Sequence, residues 1–398
     1  MKPKIRFSSS NILYEEKTLS EISTINPKTN VPLEFEYVDL ESVSGTEMTN
    51  HRTEHKATAP SRAQRLAKKG DIFYQTVRPY QKNNYYFDMD DDNYVFSTGY
   101  AQIRPSIYGK YLFTLLQNDS FLKQVLDNCA GTSFPAINPS VLSRLSVRIC
   151  KDKQEQQAIA SYFTSLDSQI SSSTSRLASL KQMKAASLQA MFPQEGETVP
   201  KIRFKGFEGE WRTCPLYHFA KKRTEKNTKM LYNITLTNSA EFGIIDQRNF
   251  FDHEISNSEN INGYYVVRDH DFVYNPRISS SAPVGPINQN KLGYTGVMSP
   301  LYLVFEINGI NRDFLEIFFH TTLWHKYMFD NGNTGARFDR LAISDEDFMK
   351  MPIPDIDFGE QQAIASYFTS LDRQISLQSQ RLEKLKQIKS ACLDKMFV

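Results

Sequence analysis

The chain has 398 residues, 40% hydrophobic and 23% charged, which suits two ordinary globular domains and argues against a disordered or fibrous class. Lys+Arg number 47 against 45 Asp+Glu, a formal net charge of +2, so bulk charge makes no case for nucleic-acid binding and any such case rests on local patches. Four cysteines with no CxxC pair argue against a disulfide framework or structural zinc, and no run approaches the roughly 18 apolar residues of a membrane span.

The chain opens MKPKIRFSSSNILYEEK, without the apolar core of a signal peptide, so a cytoplasmic protein is expected. HRTEH, His51 to His55, fits an inverted zinc-protease motif, but its polar surroundings lack the helical periodicity such ligands need. SRAQRLAKKGD follows, supplying Arg62, Gln64, Arg65, Lys68 and Lys69. GDIFYQTV, Gly70 to Val77, predicts a strand, and beyond it VRPYQKNN supplies Arg78, Lys82 and Asn83. Arg and Lys neutralise phosphates, while Arg to guanine and Asn or Gln to adenine read base edges, so these residues are candidate DNA contacts. The same runs read equally as solvated basic turns.

DMDDDN, Asp88 to Asn93, begins like a calcium loop but has Asn93 where glycine is required, and reads as a solvated loop. Tyr94 to Ile103 predicts further strand, and Lys110 to Cys129 has the Leu and Phe spacing of one helix, ended by the turn at Gly131. Asp152 then caps a long helix that Pro193 stops. After a second lead, the other half repeats this order: strands at His270–Pro276 and Tyr294–Ile307, and a helix over about Arg312–Phe329. Its basic candidates are more scattered: Arg223, Lys226, Asn275, Arg277, Arg337 and Arg340, for which plain surface charge is the stronger reading. NPRI, Asn275 to Ile278, is similar to an amino-methyltransferase signature, but Arg277 replaces the second proline and no glycine-rich cofactor loop precedes it. His320 and His325 lie off a shared helix face, and no catalytic or metal-binding constellation is evident.

The dominant feature is a repeat. EQQAIASYFTSLD, Glu155 to Asp167, recurs letter for letter from Glu360 to Asp372, and PKIRF opens both halves at Pro3 and Pro200. Both tails predict helices on the order of 55 to 60 Å long. One carries a heptad seam through Ile159, Phe163, Leu166, Ile170, Leu177 and Leu180, the other through Ile364, Phe368, Leu371, Ile375, Leu382 and Leu385. Off the seam, Glu155, Gln156, Gln157, Ser161, Thr164 and Ser165 are also repeated, Glu155 and Gln156 as Glu360 and Gln361. Packing alone does not demand that identity. A partner bound twice does, and so does recent duplication.

With its duplicated EQQAIASYFTSLD…RL…LKQ…K…L…MF tail, its two PKIRF leads and its SRAQRLAKKGDIFYQTVRPYQKNN segment, the chain resembles the specificity subunits of type I restriction-modification systems. The resemblance implies an α+β fold of two mixed α/β target-recognition domains, residues 1–153 and 193–358. Each is followed by a conserved spacer helix, 154–192 and 359–398, and the helices pack as an antiparallel coiled coil with pseudo-twofold symmetry. It implies that each domain reads one half of a split site on double-stranded DNA, while the helices set the gap and dock two modification subunits. Those partners bring S-adenosylmethionine, and restriction subunits bring ATP-driven translocation. The chain itself is then non-catalytic and holds no cofactor or metal. Two other readings are a coiled-coil scaffold that binds only protein, and an autonomous methyltransferase or nuclease.

Overall fold

The computed structural model describes residues 3–7, 14–249, 258–333 and 339–397. These divide into two compact units, Met1–Ser175 with Ser379–Val398, and Arg176–Gln378. The division falls inside both long helices, so each unit holds the first half of one and the second half of the other.

The first unit contains β1 (Tyr14–Thr18), α1 (Leu19–Ile22), β2 (Ser23–Ile25), β3 (Glu34–Val38), β4 (Val43–Ser44), β5 (Glu47–Met48), β6 (Arg52–His55), β7 (Ala63–Leu66), β8 (Ile72–Gln75), β9 (Tyr85–Tyr86), β10 (Tyr94–Ser97) and β11 (Tyr100–Pro105). Then come α2 (Gly109–Leu115), α3 (Asp119–Asp127), α4 (Pro139–Leu142), β12 (Ser146–Cys150) and the first part of the long α5 (Lys153–Ala190). Its strands form two four-stranded sheets, β6-β3-β10-β7 and β2-β11-β8-β9, and a pair β1-β12. Ile72–Gln75 and Tyr94–Ser97 are buried on both faces, which is why they read as continuous apolar runs without alternation. Phe73 and Phe96 stack at 3.6 Å between ring centroids and join the sheets.

The second unit contains β13 (Arg212–Pro215), β14 (Ala220–Lys222), β15 (Leu236–Ser239), β16 (Gly243–Asp246), β17 (Tyr265–Val267), β18 (Phe272–Tyr274), β19 (Ile287–Gln289), β20 (Gly296–Met298) and β21 (Leu303–Ile307). It continues with α6 (Arg312–Phe319), α7 (His325–Asn331), α8 (Asp345–Met349), β22 (Pro352–Asp355) and the first part of the long α9 (Phe358–Met396). Its sheet β14-β21-β18-β19 has the connectivity of β2-β11-β8-β9, and β13-β22 that of β1-β12.

The single helices expected over Lys110–Cys129 and Arg312–Phe329 are each two helices. Asn118 breaks the first, its side chain accepting from Ser120 N at 2.7 Å as an N-cap while its Nδ2 donates to Leu393 O at 2.8 Å. In the second, Thr321 Oγ1 donates to Phe318 O at 2.7 Å and Trp324 Nε1 to Phe319 O at 3.0 Å, which satisfies carbonyls at the end of α6. HRTEH lies largely on strand β6, where His51 Nδ1 meets Glu36 Oε2 at 2.7 Å and holds the Glu36 carboxyl below its usual range. Among the described residues no helix is long and apolar enough to cross a membrane, and no acidic, His or Cys group is arranged to hold a metal.

The helices pack antiparallel in each unit. In the first, Asp167 pairs with Lys389 at 2.6 Å, Tyr162 OH and Cys392 Sγ lie 3.4 Å apart, and Phe163 meets Phe397 at 6.2 Å between centroids. In the second, Lys184 pairs with Asp372 at 2.6 Å and Ser187 Oγ shares a hydrogen bond with Tyr367 OH at 2.9 Å. Ile159, Phe163, Leu166 and Leu180 on α5, and Ile364, Phe368, Leu371 and Leu382 on α9, are buried, while Ile170, Leu177, Ile375 and Leu385 are half-buried at the seam.

Helix sockets and candidate nucleic-acid interface

Glu155, Gln156, Glu360 and Gln361 lie off the heptad seam, yet all four are buried. Their role is to fasten each helix to its body. Gln156 Nε2 donates to Cys150 O at 2.7 Å and its Oε1 accepts from Tyr108 N at 3.3 Å. Gln361 does the same with Ile356 O at 2.9 Å and Asn311 N at 2.8 Å. The glutamates receive the leads: Arg203 grips Glu360 through two hydrogen bonds of 2.6 and 2.8 Å, while Arg6 approaches Glu155 at 3.8 Å. The carboxylate of Glu360 pushes the Arg203 guanidinium pKa up. Each lead also ties the C-terminal end of the other helix in its unit, Ile5 N donating to Lys395 O at 3.1 Å and Ile202 N to Ala190 O at 2.8 Å. Phe7 and Phe204 pack on the repeated tyrosines Tyr162 and Tyr367. Lead and tail repeat together because they are two halves of one socket. Sequence periodicity could not reveal this, since the contacts run between segments far apart in the chain. Gln157, Ser161, Thr164 and Ser165, with their repeats Gln362, Ser366, Thr369 and Ser370, remain exposed.

The basic candidates of the first unit are distributed over two sheets. Arg62, Gln64 and Lys68 are exposed on or beside β7. Gln64 Nε2 is folded back onto Ser61 O at 2.7 Å, and Lys69 is paired with Asp90 at 2.6 Å. Arg65 is half-buried, with its Nε unpartnered, and burial pulls its pKa down. Beyond β8, Lys82 is paired with Asp119 and donates to Gln117 O at 3.1 Å. Asn83 Oδ1 accepts from Gly45 N at 2.9 Å. Arg78 lies over the exposed ring of Phe134, 4.5 Å from its centroid.

In the second unit Arg223 is an internal residue, held by Asp271 at 2.7 Å and Glu306 at 2.8 Å. It is the counterpart of the Arg104–Asp71 pair at 2.7 Å in the first: Asp71 Oδ2 accepts from Lys68 N at 2.9 Å, Asp271 Oδ2 from Arg268 N at 2.7 Å. Lys226 is exposed and bridges Tyr265 through its backbone. Asn275 donates to Asn238 O at 2.9 Å and accepts from Arg277 N at 3.0 Å, shaping a turn. The structure brings Asn275, Arg277 and Arg340 to the wall of one cleft of about 410 Å³. Arg337 lies outside the described residues.

The two units share one frame, each clamped at a repeated socket to a long helix, and differ in the side chains of their bodies. Residues 11–182 match the type I restriction modification DNA specificity domain. The type I restriction enzyme HindI specificity subunit of Haemophilus influenzae (strain ATCC 51907 / DSM 11121 / KW20 / Rd) is 34% identical over 139 residues, which is 33% of this chain and 30% of that subunit's length. The fold is shared more widely. A chain from a study of complex assembly and conformational transition in the type I R-M system matches with a TM-score of 0.54 at 20% identity, over 97% of this chain and 98% of that one. The type I restriction-modification S subunit of M. genitalium matches with a TM-score of 0.61 at 13% identity, over 100% of this chain and 99% of that one.

Proposed function

We propose that this chain is the DNA-specificity subunit of a type I restriction-modification complex. Each body reads one half of a split site on double-stranded DNA. The paired helices set the unread gap and present two equivalent faces to two modification subunits. The chain is non-catalytic, and S-adenosylmethionine and ATP belong to its partners, the latter to a restriction or translocase subunit. The observation that carries this reading is the contrast within the repeat. Gln157, Ser161, Thr164 and Ser165 stay exposed in both copies and are identical, as two copies of one partner require, whereas the bodies keep a frame and change its side chains, as two different half-sites require.

The test is base-resolution mapping of methylated adenine in host cells with and without the gene. The expected result is loss of one split motif, two short defined blocks around an unread gap. An unchanged methylome in cells that express the chain and its partners contradicts the reading and favours a protein scaffold.

A further inference from the structure

One corner is built alike in both units. In the first, Val77 bridges Ala136, Arg78 N donates to Pro135 O at 2.8 Å and Ile137 N donates to Thr76 O at 3.0 Å. In the second, Arg277 bridges Arg340, Ile278 N donates to Asp339 O at 3.0 Å and Leu341 N donates to Pro276 O at 2.9 Å. Each set joins the residues leaving β8 or β18 to the segment that precedes α4 or α8. The bonds run between backbone groups, so the shape of the corner is independent of its side chains.

Those side chains differ. The first corner carries Arg78 over Phe134, with Tyr80 beside it in sequence, and Phe134 and Tyr80 are 60% and 51% exposed. Arg78 and Lys82 both hold left-handed backbone, φ 54° and 55°, a conformation that non-glycine residues keep only where the surroundings impose it. Within this turn Gln75 Nε2 donates to Gln81 Oε1 at 2.8 Å and Gln75 Oε1 accepts from Asn83 N at 3.1 Å, while Arg78 N is held by Pro135 O. The second corner carries Arg277 and Arg340, set on either side of Asp339 at 3.7 and 3.8 Å, on the wall of the 410 Å³ cleft. Arg277 is 66% exposed at its side chain.

We propose, resting on the DNA-specificity reading, that these corners are the base-reading surfaces, with Arg78 the specificity-determining residue of one half-site and Arg277 with Arg340 those of the other. An arginine fork fits guanine O6 and N7 in the major groove, and a guanidinium already held by an aromatic face or a carboxylate loses less freedom on binding. Among the other basic candidates, Lys69, Lys82 and Arg223 pair with Asp90, Asp119 and Asp271, while Arg62, Lys68 and Lys226 are exposed outside either corner. A protein partner bound twice would find repeated side chains, as on the tails. Here the frame repeats and the side chains do not.

The test maps methylated adenine in host cells whose gene is replaced by Arg78→Ala, by Arg78→Lys, or by Arg277→Ala with Arg340→Ala, alongside co-purification of the modification subunits with each variant. Arg78→Ala should lower discrimination at one base pair of one half-site by roughly ten- to a hundredfold and leave the gap and the other half-site unchanged. The Arg277 and Arg340 double variant should do the same in the opposite half-site. Arg78→Lys keeps the charge but not the fork, so it should relax that base pair less than Arg78→Ala does; full discrimination in Arg78→Ala with only a uniform loss of methylation would reduce Arg78 to a phosphate contact and overturn its assignment. A variant that assembles yet methylates nothing has lost DNA binding rather than discrimination, which overturns its assignment as a base reader, and if Arg78→Ala fails to assemble the lysine variant decides. An unaltered motif in all variants overturns the corners while leaving the DNA-specificity reading in place, whereas a parent chain without any gene-dependent split motif overturns that reading itself.

Discussion

Glu155 and Glu360 occupy the same place in two copies of one sequence, yet their arginines close on them differently. Glu360 is 1% exposed and doubly hydrogen-bonded by Arg203, while both oxygens of Glu155 lack a hydrogen bond from Arg6. A buried carboxylate stripped of its only cation is costly, so Arg203→Ala should destabilise the second unit by about 3–5 kcal/mol. Arg6→Ala should cost less, because in the native state Glu155 already goes without those bonds. Amide hydrogen exchange over Glu360–Phe368 and Glu155–Phe163 measures each socket separately, and equal losses of protection would contradict this ranking. The repeated glutamates and the PKIRF leads are both visible in the sequence. That they meet is not, because heptad periodicity assigns Glu155 and Gln156 to the outside and says nothing of a lead nearly 150 positions away.

At the scale of elements, the two long helices were the most legible part of the chain: their apolar seam residues recur at spacings of four and three, and every one of them is buried or half-buried. The shorter helices were less so. Leu and Phe spacing runs through Leu115–Gln117–Asn118 without interruption, and only the second function of Asn118, capping α3 while holding Leu393 O, makes the break. Asn118→Ala should therefore cost about 1–2 kcal/mol and fray both α3 and the end of α9, read as faster exchange in Asp119–Asp127 and at Met396. Between the helices, Asp167–Lys389 and Lys184–Asp372 are the rungs that identical Asp and Lys positions provide in each unit. All four side chains are partly exposed, so each rung is worth about 0.2–1 kcal/mol. Asp167→Lys should weaken helix pairing by that order and Lys389→Asp should restore it in the double variant; a double variant no better than the worse single one would remove the rung from the account of register.

At the scale of the whole molecule, the sockets explain how bodies can diverge while the tails cannot. Gln156 and Gln361 hold the body only by backbone groups, Cys150 O and Tyr108 N in one case and Ile356 O and Asn311 N in the other. Backbone groups are present whatever the side chain, so substitution in the body leaves this grip intact. Beyond it, the tails also meet body side chains: Tyr111 meets Phe397 at 5.7 Å, Phe314 meets Phe192 at 5.8 Å, Asn118 Nδ2 donates to Leu393 O and Asn311 Nδ2 to Gln362 Oε1. A body is then a cassette bounded by its lead and its tail. A chain in which residues 212–355 replace residues 14–149, with both leads and both tails kept, should fold with each unit as protected from exchange as the parent's second unit. On the proposed function, methylome mapping of cells carrying that chain should show the second half-site twice, once in each orientation, around the parent gap. A chimera that folds but retains the first half-site would place base reading outside the bodies, and one that fails to fold would mean that the sockets demand more of a body than these contacts.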